Sequence, residues 1–174
     1  MKLLLALLIC VFCFGADGVR ANHGSIKALI DNPTIIGKIQ SDFLAINKQL
    51  GRYQKKTRDA PDMSTEGGEV IGYYDKNSLK KIQCVFYGET GRAEVDYYLN
   101  NKGLFFVFRK QIFYDKPMYL KNFRIKNTNE TRYYLYGAKV IKSIKKPNTL
   151  TSLSYNEIEE ELKQILNILN KKYI

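Results

Sequence analysis

The sequence predicts an α+β fold: an antiparallel β-meander of about 5–6 strands packed against an N-terminal and a C-terminal amphipathic helix. Three observations carry this reading. Apolar residues recur at helical spacing from Ile36 to Tyr53. The period switches to two beyond residue 68, and a capped amphipathic segment follows Ser154. With 174 residues, 45% hydrophobic and 26% charged, the chain suits one globular domain, and long disorder, collagen and a disulfide scaffold are excluded.

The N-terminus reads as a secretion signal over residues 1–21. Lys2 precedes an uninterrupted apolar run at 3–14, and Gly15, Ala16, Gly18 and Ala21 follow. The run is short of the roughly 20 residues that span a bilayer, and cleavage after Gly15, Gly18 or Ala21 would each leave a small residue at the site. This predicts an exported protein, periplasmic or secreted, with a single α+β domain at 22–174 and no transmembrane span. Cys10 and Cys13 would leave with the signal, so Cys84 alone forms no internal disulfide. Cys84 alternates with Ile82 and Phe86 and reads as a core residue. The one histidine, His23, lies beside the cleavage region.

Ile26, Leu29 and Ile30 suggest a short helix at 24–31. Asn32 and Pro33 then read as the cap and first position of a longer helix, whose stripe is Ile36, Ile39, Phe43, Ile46, Leu50 and Tyr53. The spacing predicts a helix over 33–58. Residues 59–68 are turn formers. Ala93, Val95, Tyr97 and Leu99 alternate with polar neighbours, and Ile82, Cys84 and Phe86 give a second strand. Residues 104–108 are apolar on both faces, which predicts a strand in mid-sheet. Short turns at 75–78, 88–91 and 100–103 make hairpins of these strands, with Gly88 and Gly91 expected at positive φ. Residues 115–130 read as a polar connection and 131–145 as a last hairpin. The terminal helix, 154–172, has a Ser154/Glu157 capping box, a stripe of Ile158, Leu162, Ile165, Leu166 and Leu169, and Lys171 and Lys172 at its end. Both helices are expected on one face of the sheet, leaving the other free.

Tyr73-Tyr74, Tyr97-Tyr98 and Tyr133-Tyr134 each open a strand–turn–strand unit, an echo at uneven spacing. Paired tyrosines point to opposite faces, which predicts one of each pair in the core. With Gly88-Glu89-Thr90-Gly91 and Leu104-Phe105-Phe106-Val107-Phe108, the stretch 66–145 resembles uncharacterised exported bacterial proteins built on Tyr-Tyr β-hairpin units. It is also weakly similar to membrane-occupation-and-recognition-nexus-type repeats. The resemblance implies architecture and carries no functional residues.

The chain's net charge of +11 is concentrated. Residues 102–146 hold 12 Lys and Arg against Asp115 and Glu130. Within them Lys116, Lys121, Arg124 and Lys126 interleave with Tyr119 and Phe123, a combination that binds anionic polymers by charge and stacking. Glu66, Glu89 and Thr90, in two polar turns, complete the candidate binding residues. No metal ligand set, nucleotide loop or nucleophile elbow is present, and no cofactor is implied. Glu66, Glu69, Glu89, Glu94 and Asp96 are the acids available for paired-carboxylate chemistry. Asn129-Glu130-Thr131 is a glycosylation sequon.

Together these predict an exported envelope protein acting as a non-catalytic binding module through a basic-aromatic surface. Its expected partner is an anionic envelope polymer, an acidic lipid surface or an acidic protein, the compartment disfavouring nucleic acid. The alternatives are a secreted carboxylate-dependent, glycan-active enzyme, and an inhibitor or effector docking an acidic protein.

Overall fold

A computed structural model describes residues 33–170. The predicted signal at 1–21, His23, the short helix at 24–31, the Asn32 cap, Lys171 and Lys172 lie outside the described residues.

Helix α1 (Pro33–Gln49) leads through a single 3₁₀ turn (Leu50–Arg52) into strand β1 (Gln54–Asp59). A loop carrying a second 3₁₀ turn (Pro61–Met63) follows. Then come β2 (Gly68–Asp75), β3 (Ser78–Gly88), β4 (Gly91–Asn100), β5 (Gly103–Tyr114), β6 (Ile125–Leu135), β7 (Val140–Lys146) and helix α2 (Tyr155–Asn170). The seven strands form one antiparallel sheet in chain order, so every neighbour is joined by its own connection. Turn chemistry explains the tightness. Gly137 and Ala138 both sit at positive φ between Tyr136 and Lys139, which exchange backbone hydrogen bonds of 3.0 and 3.2 Å. At the β4–β5 turn Gly103 has φ 102°, and Asn100 accepts a hydrogen bond from the Lys102 amide at 2.8 Å.

The meander and the terminal helix agree with the sequence reading, and four features correct it. The sheet has seven strands. The first helix ends at Gln49, and residues 54–59 form an edge strand through pairing with β2. Residues 125–130 extend β6, so the polar connection shrinks to 115–124. Finally, the two helices cover opposite faces, and no whole face is left free.

The last correction follows from the strand period. Where Tyr97-Tyr98, Phe105-Phe106-Val107 and Tyr133-Tyr134 lie side by side in β4 to β6, both faces are apolar, and each needs its own cover. On one face Val70, Ile82, Cys84, Val95, Tyr97, Val107, Tyr133 and Leu135 pack with Ile158, Leu162, Ile165 and Leu169 of α2. On the other, Tyr98, Phe105, Phe106, Tyr134 and Ile141 pack with Ile39 and Ile46 of α1, and Phe43 lies 4.9 Å from the Tyr98 ring and 5.1 Å from that of Phe106. Both members of the Tyr97-Tyr98 and Tyr133-Tyr134 pairs are therefore core, one in each layer. Cys84 is fully buried, as expected, and burial pushes its thiol well above the usual range. Gly72 admits α2 to the sheet: a Cβ there would stand 3.3 Å from Leu169 Cδ1 and 2.8 Å from the Tyr74 ring.

Each face holds one of the two most buried ion pairs among the described residues. Arg109 on β5 grips Glu161 of α2 with both guanidinium branches, Nη2 at 3.1 Å from Oε1 and Nη1 on Oε2, and so ties that helix to the sheet. Burial opposes the Arg109 charge, but Glu161 outweighs it and holds the guanidinium above its ordinary value. The Tyr97 hydroxyl lies beside this pair, buried and without a well-formed hydrogen bond. On the α1 face Lys81, only 5% exposed, meets Asp96 at 2.8 Å between strands β3 and β4. Its ammonium stands 5.0 Å from the Tyr98 ring centre. Burial pushes the Asp96 carboxyl above its usual value even with Lys81 beside it. The Tyr98 hydroxyl donates to Asn47 of α1 at 3.1 Å. At the start of α2 the capping box is formed: Ser154 N–H donates to Glu157 Oε2 at 2.7 Å, and Glu157 N–H to Ser154 Oγ at 3.3 Å. The Ser154 N–H bond, with one from the Ser154 hydroxyl at 2.7 Å to the same oxygen, holds the Glu157 carboxyl below its ordinary value.

Candidate functional site

Three connections meet at one end of the sheet: the 60–67 loop, the 88–91 turn and the 115–124 loop. Backbone bonds stitch them together. Glu66 N–H donates to the Tyr87 carbonyl at 3.2 Å and Tyr87 N–H to that of Gly67 at 2.8 Å. Tyr114 N–H donates to Thr90 at 2.8 Å and Met118 N–H to Glu89 at 2.9 Å. The 115–124 loop is braced internally as well. Asp115 N–H donates to the Arg124 carbonyl at 3.0 Å, Arg124 N–H returns to Asp115 Oδ1 at 2.8 Å, and the Tyr114 and Phe123 rings pack 4.8 Å apart. Asn122 takes the left-handed turn position, φ 61°, which asparagine tolerates.

The structure gathers all nine sequence-predicted residues at this end. Glu66, Glu89, Thr90, Tyr119, Lys121, Phe123, Arg124 and Lys126 are exposed, and Lys116 is half-buried. Glu89 and Tyr119, 30 residues apart, are joined by a 2.7 Å hydrogen bond from the Tyr119 hydroxyl to Oε1. That carboxylate raises the Tyr119 pKa above its ordinary value. Glu89 is thus engaged by the loop as well as solvated. Gly88 and Gly91, expected at positive φ, are outside that region; Gly91 is needed because a Cβ would collide with the Ile112 carbonyl oxygen.

The same end exposes apolar side chains that the sequence reading did not single out: Tyr87, Phe113, Met118, Leu120 and Ile125. Tyr119 is 72% and Ile125 62% exposed, and every residue from 118 to 127 is solvent-facing, so the loop projects. The signal for it was the apolar run Met118-Tyr119-Leu120 inside a turn-rich segment.

The basic excess, in contrast, is not one surface. Arg109 is spent on Glu161 and Lys145 donates to the Leu150 carbonyl at 2.6 Å. Arg132 lies 5.3 Å from the Phe108 ring and pairs with Glu130, while Lys102 and Lys139 sit at the far end. Of the 102–146 cations, Lys116, Lys121, Arg124 and Lys126 belong to the loop end.

Beside the loop lies an open cavity of about 620 Å³, lined among others by Thr65, Glu89, Thr90, Arg109, Gln111 and Glu161. Of the five acids the sequence offered for paired-carboxylate chemistry, Glu89 alone lines it, and the second acid there, Glu161, is held by Arg109. Glu94 is bound to Arg92 at 2.8 Å, and Asp96 to Lys81 on the α1 face. Among the described residues no group of three or more His, Cys, Asp or Glu is placed to hold a metal ion, and no helix is long and apolar enough to cross a membrane. No family model, curated protein or solved structure matches the chain.

Proposed function

We propose that the protein is an exported envelope binding module that engages an anionic partner through the loop end of its sheet, without catalysis. One observation carries this reading: a braced loop holds Tyr119 and Phe123 in solvent beside Lys121, Arg124 and Lys126. Bracing matters because an ordered loop loses little conformational entropy on binding. The cations supply attraction and the rings supply contact area.

The test is retention of the purified protein on heparin and on insoluble cell-wall glycan across a salt gradient. Retention at low salt, released by salt and abolished by the triple change Lys121→Glu, Arg124→Glu and Lys126→Glu, is the expected result. Binding that ignores both salt and the triple change would overturn the reading. All three side chains are exposed, so the variant should keep the wild-type unfolding curve.

A further inference from the structure

We infer that the partner of this end is an anionic lipid surface, into whose interface the 115–124 loop and Ile125 dip. The inference rests on the reading of this end as a binding surface and names what it binds. Charge complementarity and the chemistry of the exposed tip carry it.

A glycan is gripped by flat rings and hydrogen-bonding groups, and a soluble polyanion by charge. Neither gains from Met118, Leu120 and Ile125, which stand exposed between the cations. A bilayer interface uses all of these groups at once. Aliphatic side chains enter the headgroup boundary, tyrosine settles at the interface, and Lys and Arg stems lie along the apolar part while their charges reach phosphate. The order of residues fits that division: Met118, Tyr119 and Leu120 precede Lys121, Phe123 precedes Arg124, and Ile125 precedes Lys126. Four cations face one acid over residues 115–126, and that acid, Asp115, accepts a hydrogen bond from the Arg124 amide. The neighbouring carboxylate, Glu89, is likewise engaged by Tyr119. The loop projects: all of its residues from Met118 onward are solvent-facing, and none of them lines the adjoining cavity. A convex tip suits a plane better than a cleft-bound chain.

The experiment is flotation of the purified protein with vesicles of phosphatidylcholine, alone or mixed with phosphatidylglycerol, beside a heparin column. Flotation with the mixed vesicles only is expected. The double change Leu120→Ser and Ile125→Ser should weaken it by about tenfold while leaving heparin elution unchanged. Neutralising Lys121, Arg124 and Lys126 to Gln should weaken it on the order of a hundredfold. The chain has no tryptophan, so Leu120→Trp gives a single reporter, whose emission should shift to the blue on the mixed vesicles. Vesicle binding that survives the Leu120/Ile125 change, with no blue shift, overturns the inference. Heparin retention without flotation overturns it too but leaves the loop end as a binding surface. Absence of both removes the inference and the reading beneath it.

Discussion

The two faces of the sheet solve the same packing problem differently. The α2 face is mainly aliphatic and is clamped to its helix by the bidentate Arg109–Glu161 pair. The α1 face is aromatic, and its ion pair, Lys81–Asp96, joins two strands and leaves the helix out. Helix α1 is tied by its apolar stripe and by the Tyr98–Asn47 hydrogen bond. The comparison teaches that a buried charge pair fastens only the elements that carry it. On one side it fixes a helix to a sheet; on the other it staples β3 to β4 and leaves helix attachment to ring packing.

The sharpest contrast should come from the helix stripes. Ile165 is fully buried in α2 and Ile39 nearly so in α1. Ile165→Ala is expected to cost about 3–4 kcal/mol in urea unfolding, and Ile39→Ala about 2 kcal/mol. Equal losses would erase the difference between the faces. Next in size is the strand staple. Lys81→Met strands the Asp96 carboxylate under α1 and should cost about 2–3 kcal/mol, whereas adding Asp96→Leu should recover most of it. Adjacent tyrosines give a smaller test of the same comparison. Tyr98→Phe loses the bond to Asn47, about 1 kcal/mol, while Tyr97→Phe removes a buried hydroxyl that has no good partner and should be neutral or stabilising. The smallest effect is one of pH. The folded Asp96 carboxyl, raised by burial, keeps its proton where the unfolded one has lost it. Its contribution therefore falls as pH rises from about 4 until the folded group ionises. Asp96→Asn should remove that part of the stability–pH profile, measured as urea midpoints between pH 4 and 6.

Much of the fold was legible because its punctuation is local. The turns at 75–78, 88–91 and 100–103 and the Ser154/Glu157 cap are set by residues close in sequence. What failed is what depends on distant partners. Gln54-Lys55-Lys56-Thr57-Arg58-Asp59 has no alternation of apolar residues; it becomes a strand because β2 offers hydrogen bonds. The sides taken by the helices were hidden by the tyrosine pairs. Tyr97 and Tyr98 are both buried, so alternation marks no outer face. At the loop end, the interleaved cations and rings were visible, and so were the polar turns. The bond between Glu89 and Tyr119 was not, since it closes across two separate connections. Nor were the exposures of Phe113 and Ile125, which depend on where β5 and β6 stop being covered.

The order of the sheet has one more consequence. A meander that never closes ends in β1 and β7 among the described residues, two open rows of amide and carbonyl groups that invite strands from other molecules. Lys55 and Lys56 stand on one rim, and Lys142 and Lys146 on the other. Two copies approaching rim to rim bring cation against cation. Charge on both rims thus opposes ribbon growth. Its reach shrinks to about 3 Å in molar salt, so any self-association through these edges, followed by sedimentation, should rise with salt.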